Sequence, residues 1–312
     1  YVGQRGTHLI VAREYNQPLP DPGPVNTWRP LDQRRPLFAA APLVTNISGT
    51  DSSAQMHYHS LQTSLRQRFG GGLEMLASYT LSKMLSDSIG FYGSAGVNNE
   101  GAYWQNAYDR ENNYGPGFFD ARHIFSSGLL YDLPFGRGRR FGAGWSRLGD
   151  TLLGGWSVQS ILRTHSGFPV TIQGRDTTNQ AVRGNTRPNR YRPIEVVNRG
   201  VDAWFGTAVT FCAAGVNDGK CAYGDPPAGV FGNGGIGTER APSFFNLDLS
   251  LGKRLPLSDR RWVEFRGEFF NAFNTVALGP PGRLTSSPAT FGTITSQANS
   301  PRNVQLVMKF WF

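Results

Sequence analysis

The sequence has no apolar run of the roughly 20 residues that a membrane-spanning helix needs, and its mean hydropathy is only −0.36. That absence excludes helical spans but not the membrane. A barrel strand crosses with about 9 to 11 residues, every second one apolar, so its hydropathy averages out. Lysine is scarce: Lys83, Lys220, Lys253 and Lys309 are four of 31 basic residues, the rest being arginine. The net charge of +9 and pI of 9.8 would point to nucleic acid, but the arginines are scattered over the chain without forming a run, which excludes that partner. Cysteine is reduced to Cys212 and Cys221, nine positions apart in a Gly/Asn/Asp-rich stretch. In an oxidising compartment this setting favours a loop-closing disulfide, with two free thiols as the alternative. Residue 1 is Tyr and no signal peptide opens the chain, so a fragment of a longer secreted protein is expected.

What is present is glycine (39) and proline (20), a composition that suits many hairpins joined by long loops better than helices. Segments of period two recur along the chain. In 57–69, Leu61, Thr63, Leu65 and Phe69 oppose Ser60, Gln62, Ser64, Arg66 and Arg68. Gly70-Gly71-Gly72 then reverses the chain, and 73–85 sets Leu73, Met75, Ala77, Tyr79 and Leu81 against Glu74, Ser78, Thr80 and Ser82. Segments 120–133, 156–166, 243–253 and 261–273 repeat the alternation, and a weaker strand is predicted over 7–14. The last, 302–312, places Val304, Leu306, Met308, Phe310 and Phe312 opposite Gln305, Lys309 and Trp311. One side of each strand is apolar and the other carries charge, as in a wall between lipid and a wet lumen.

The connections alternate between longer and shorter: 15–56, 70–72, 86–119, 134–155, 167–242, 254–260 and 274–301. Outer-membrane barrels alternate in this way, with short periplasmic turns and long external loops. A C-terminus on the periplasmic side places 15–56, 86–119, 167–242 and 274–301 outside. Tyr79, Tyr131, Trp156, Trp311 and Phe312 stand near predicted strand ends, where aromatic rings suit the headgroup boundary. The fold class expected is all-β, an antiparallel transmembrane β-barrel portion in the bacterial outer membrane.

Seven ordered stretches carry a family resemblance: Tyr1-Val2-Gly3-Gln4-Arg5-Gly6-Thr7-His8-Leu9, Tyr58-His59-Ser60-Leu61-Gln62, Ala77-Ser78-Tyr79-Thr80-Leu81-Ser82-Lys83, Asp120-Ala121-Arg122-His123-Ile124-Phe125, Phe244-Phe245-Asn246-Leu247-Asp248-Leu249-Ser250, Glu268-Phe269-Phe270-Asn271-Ala272-Phe273-Asn274 and Lys309-Phe310-Trp311-Phe312. The chain resembles the C-terminal region of TonB-dependent receptors, specifically the Oar-like type with a carboxypeptidase-regulatory-like domain that is abundant in Acidobacteria. The resemblance implies that residues 1–312 are about eight strands of a larger, plugged barrel, the plug and N-terminal domains having no counterpart here. It implies ligand uptake driven by the TonB complex, acting through the missing N-terminal parts. Phe310, Trp311 and Phe312 would then be the C-terminal signal read by the barrel-assembly machinery.

Other constellations favour plain readings. Gly232-Asn233-Gly234-Gly235-Ile236-Gly237 matches GxGxxG, but Pro242 follows where the phosphate-binding helix should run. His57 and His59 share a strand face without a third metal ligand, and Glu264 and Glu268 flank Arg266 as a charge ladder rather than a hydrolytic pair. No catalytic, cofactor or metal site is expected. Tyr103, Trp104 and Tyr108 are candidate loop contacts for an extracellular ligand, for instance a carbohydrate. The competing readings are a passive porin-like or adhesin-like barrel, and a secreted β-sandwich that binds glycans.

Overall fold

The computed structural model describes residues 1–88, 103–184, 186–213, 215–258 and 260–312. Of the expected 86–119 loop, residues 89–102 therefore lie outside the described residues. Every alternating segment is a strand: β1 (Val2–Glu14), β2 (Ser48–Phe69), β3 (Leu73–Ser86), β4 (His123–Asp132), β5 (Trp156–His165), β6 (Phe244–Pro256), β7 (Trp262–Phe270) and β8 (Asn303–Trp311). Each pairs antiparallel with the next, so the sheet is a meander from β1 to β8. The remaining strand pairs are two residues long and belong to the loops. No second sheet of comparable size faces this one among the described residues, which removes the sandwich alternative.

Two strands run further than their patterns predict. β1 begins at Val2 rather than residue 7, and β2 at Ser48 rather than residue 57. The reason lies in their pairing. β1 carries register shifts between Gly6 and Leu9 and between Leu9 and Val11, with His8 at φ +57°, so its side-chain period is broken where the backbone ladder continues. Ser48–Gln55 is polar apart from Gly49 and Ala54, and it is held by that ladder together with side-chain bonds such as Arg13–Asp51 at 2.7 Å.

Because paired residues of an antiparallel ladder share a face, the registers define both surfaces of the wall. One row runs Leu65, Ala77, Ser127, Leu162 and Leu247, and a second runs Phe69, Leu73, Tyr131, Val158, Leu251, Gly267 and Leu306. The intervening rows add Thr63, Tyr79, Phe125, Gln67, Met75, Leu129, Leu249, Phe269 and Val304. No charged residue stands in these rows. The opposite face reads Arg68, Glu74, Leu130, Gln159, Ser250, Glu268 and Gln305 in a single row. Among the described residues nothing covers the apolar face: Leu306 is 84% exposed, Met308 70% and Leu65 50%. A continuous apolar surface of that extent is a lipid contact, not a water contact.

The short turns follow from local chemistry. Gly71 and Gly72 adopt φ of +87° and +89°, a backbone that lets Phe69 pair directly with Leu73. The β6–β7 hairpin is closed by Leu257 N–H donating to Arg261 O at 2.8 Å. The 133–155 connection is longer because it holds a helix, α1 (Arg147–Leu153), whose first turn is capped by Ser146 Oγ accepting from Gly149 N–H.

The wall makes one directional prediction. Leu65→Arg, on the apolar face, is expected to lower folding stability in lipid vesicles by about 2–4 kcal/mol, while Ser64→Arg on the other face costs roughly 1 kcal/mol or less. Urea titration of both variants in vesicles measures this, and equal costs would contradict the assignment of faces.

Candidate functional site

The polar face and the loops above it form the candidate site. Along the wall, Arg266 bridges Glu264 at 3.0 Å and Glu268 at 3.1 Å, so the two glutamates are paired to a cation between them and are not a catalytic dyad. Arg163 meets Asp248 at 3.3 Å and Arg68 meets Glu74 at 3.1 Å. Ion pairs of this kind contribute little in a hydrated lumen and would be costly against lipid, so they mark which face is wet.

At the loop end of the wall the polar face is covered. Ser82 and Met84 are buried beneath residues 117–121. The Ser82 hydroxyl donates to Ala121 O at 2.9 Å, and Asp120 Oδ1 accepts from the Met84 N–H at 2.8 Å. Gly117 sits where a Cβ would lie 3.0 Å from the Met84 methyl, so glycine permits that close approach.

Among the described residues, most of the buried apolar side chains lie in the loops, with Val11, Ala12, Ala54 and Met84 on strands. Val170, Ile172, Phe205, Ala222, Tyr223, Ala241 and Phe291 form one cluster drawn from the connections 166–243 and 271–302. Tyr223 is fully buried and donates its O–H to Glu239 Oε1 at 2.7 Å; burial and the neighbouring carboxylate push its hydroxyl well above the ordinary tyrosine range. A second cluster is Val11, Ala54 and Trp104, with Leu9 against it.

Arginines tie these loops together, Arg187 and Arg34 buried and Arg240 exposed. Arg187, 1% exposed, donates through Nε to Gly234 O at 2.5 Å, through Nη1 to Asn113 Oδ1 at 3.2 Å and through Nη2 to Asn112 O at 2.7 Å. Its backbone N–H donates to Gln105 Oε1 at 2.9 Å, and Gln105 Nε2 donates to Gly232 O at 3.0 Å. Arg240 pairs with Asp120 Oδ2 at 2.8 Å, a second link between the same two loops. Arg34 joins the first long loop to the third, donating to Leu19 O at 2.7 Å and Asn179 O at 2.5 Å while lying over the Trp28 ring. A guanidinium has five donors in a planar fork, so one side chain can satisfy several carbonyls that an ammonium could not reach together. The arginine bias of the composition was the signal for this layer, because arginine rather than lysine suits buried cross-links between loops.

The residues singled out from sequence fare differently. Cys212 and Cys221 are joined in a disulfide with Cα atoms 5.5 Å apart. Asp218 Oδ1 accepts from Cys221 N–H at 2.9 Å and Lys220 N–H at 2.7 Å, which holds its carboxyl below the usual range. Cys212, Asp218 and Cys221 are the one metal-type cluster among the described residues, and the disulfide consumes both thiols. Trp104 is 5% exposed, with its indole N–H donating to Asp87 O at 2.8 Å, so it packs beneath the loops and is corrected from a ligand contact to a core residue. Tyr103 lies under Arg183, whereas Tyr108 remains 46% exposed with its O–H donating to Gln17 O at 2.8 Å. Phe310 and Phe312 stack with centroids 5.8 Å apart, and Trp311 stacks on Trp262 at 5.6 Å on the opposite face. The glycines at 232–237 serve close packing: a Cβ on Gly232 would meet Arg187 O, and no helix follows. His57 and His59 each have Nδ1 hydrogen-bonded to a tyrosine hydroxyl.

Replacing the central cation tests the loop layer. Arg187→Met leaves buried carbonyls without donors, at about 1–3 kcal/mol each. Limited proteolysis is expected to cleave the external loops faster while the sheet keeps its heat-dependent electrophoretic shift; unchanged loop cleavage would refute the role given to Arg187.

A family model for the outer membrane beta barrel domain matches residues 1–305. No curated protein and no solved structure matches the chain. The family match spans nearly the whole sheet and its loops, and it agrees with a wall that is apolar on one face and charged on the other. The chain belongs to the outer membrane beta barrel domain family and is a protein of the bacterial outer membrane.

Proposed function

We propose that the chain is the barrel portion of an outer-membrane receptor and transporter of the Oar-like, TonB-dependent type, taking up an extracellular ligand with energy delivered by the TonB complex. The observation that carries this reading is the interlocked loop layer over the lumen face. A passive pore works through a solvated mouth, whereas here residues 117–121 bury the loop end of the polar wall and Arg187 and Arg240 clamp the loops above it. Such a layer suits ligand capture followed by gated entry.

The polar wall below the layer, with its Glu264–Arg266–Glu268 ladder, offers ion-paired and hydrogen-bonding groups to a plug supplied by the rest of the protein. The TonB complex acts through those same missing parts. Phe310, Trp311 and Phe312 on the final strand are the surface offered to the barrel-assembly machinery. Among the loop aromatics, exposed Tyr108 is the contact for an extracellular ligand of carbohydrate type. The role is binding and transport, not catalysis.

In a planar bilayer the full-length protein is expected to hold no steady conductance, and in a pull-down to bind the periplasmic domain of TonB. A steady ohmic conductance without that binding would instead make the protein a passive pore.

A further inference from the structure

The lipid-facing surface changes character at its loop end. On β2 and β3 the apolar positions run from Phe69 and Leu73 up to Leu61 and Leu81, a band of about 20 Å at ~3.3 Å per residue and a tilt near 45°. The next two rows on that face carry cations or imidazoles. His59 pairs with Lys83, and His57 pairs with Arg5 across the β1–β2 ladder. His123 pairs with Leu81, diagonal to Lys83. Directly paired residues have Cβ atoms about 5 Å apart, so the five side chains form one patch across four strands.

Three features separate this patch from ordinary surface charge. No carboxylate forms an ion pair with any of the five among the described residues. Arg5, Lys83, His59 and His123 are exposed, facing outward from the sheet. Each histidine is also held in the same way by a tyrosine: Nδ1 of His57 is hydrogen-bonded to the Tyr114 hydroxyl at 2.7 Å, Nδ1 of His59 to the Tyr1 hydroxyl at 2.5 Å, and Nδ1 of His123 to the Tyr79 hydroxyl at 2.8 Å. With Nδ1 engaged by a hydroxyl, each ring is fixed in orientation and keeps Nε2 for another partner.

The patch lies at the upper margin of the lipid band, on the side of the long loops, where headgroup phosphates of the outer leaflet sit. We infer that Arg5, His57, His59, Lys83 and His123 form a binding surface for the phosphate groups of outer-leaflet lipid. Two fixed cations supply the charge and three tyrosine-tethered imidazoles add hydrogen-bonding groups for the phosphate, while acyl chains lie along Leu61, Leu81 and Phe125 below. The inference needs the membrane placement of the wall but not the uptake reading, and its test measures lipid alone.

The test is native mass spectrometry of the full-length protein released from detergent micelles, counting retained lipid. The probes are bisphosphorylated lipid A, its dephosphorylated form, and inorganic phosphate as a free competitor. Wild type is expected to retain the phosphorylated lipid in preference to the dephosphorylated one, and excess inorganic phosphate to leave that retention unchanged. Arg5→Gln with Lys83→Gln, which alters exposed side chains only, is expected to lower retention about tenfold or more, as removal of two cations at a membrane surface should. A second variant with His57, His59 and His123 changed to Gln is expected to lower it by a smaller factor. Arg66→Gln with Arg68→Gln, on the lumen face, serves as control and should retain lipid as wild type does. Equal retention of the dephosphorylated lipid, displacement by inorganic phosphate, or a loss in the lumen-face control matching that of the outer variants would each overturn the assignment.

Discussion

Everything in this structure depends on one requirement: a backbone that crosses hydrocarbon has no water to bond with, so its N–H and C=O groups must bond to neighbouring strands. The β1–β8 meander meets it for the inner strands β2 to β7, each paired on both sides, and it leaves each residue only the choice of facing lipid or lumen. Alternation then follows from solvation. Leu65 and Leu306 are exposed because their solvent is lipid, and Arg68, Glu74 and Glu268 share the opposite face because theirs is water.

A single-layer wall has no interior in which to bury apolar side chains. The loops supply one of their own, around Val170, Ile172, Tyr223 and Phe291. Their irregular backbone brings many carbonyls together without ladder partners, and those carbonyls need donors where water is excluded. Arg187 and Arg34 provide them, and Gly232 and Gly234 let the chain approach closely enough for the bonds to form. Charge in this protein thus has three settings, each with its own physics: paired on the lumen wall, buried among carbonyls in the loops, and unpaired at the upper lipid margin.

How much was legible depended on the range of the signal. The strands, the Gly70–Gly72 turn and the two kinds of connection could be read because each is set by residues adjacent in sequence: alternation over nine positions, or glycine in a turn. The first halves of β1 and β2 could not be read that way. They are held by a bulged ladder between residues 34 to 58 positions apart, where local side-chain order carries no signal. Trp104 looked like a surface contact because its loop is polar around it, and only its packing against Val11 and Ala54 shows otherwise.

The sequence by itself determined the all-β class, the eight strands and the split between apolar and polar faces, since period-two solvation is written locally in side-chain order. Only the tertiary structure decided which arginines are buried, that Cys212 meets Cys221, and that Arg5, His57, His59, Lys83 and His123 stand on one patch. Those facts depend on register and loop packing between distant segments, where contact is set by the ladder and not by spacing along the chain.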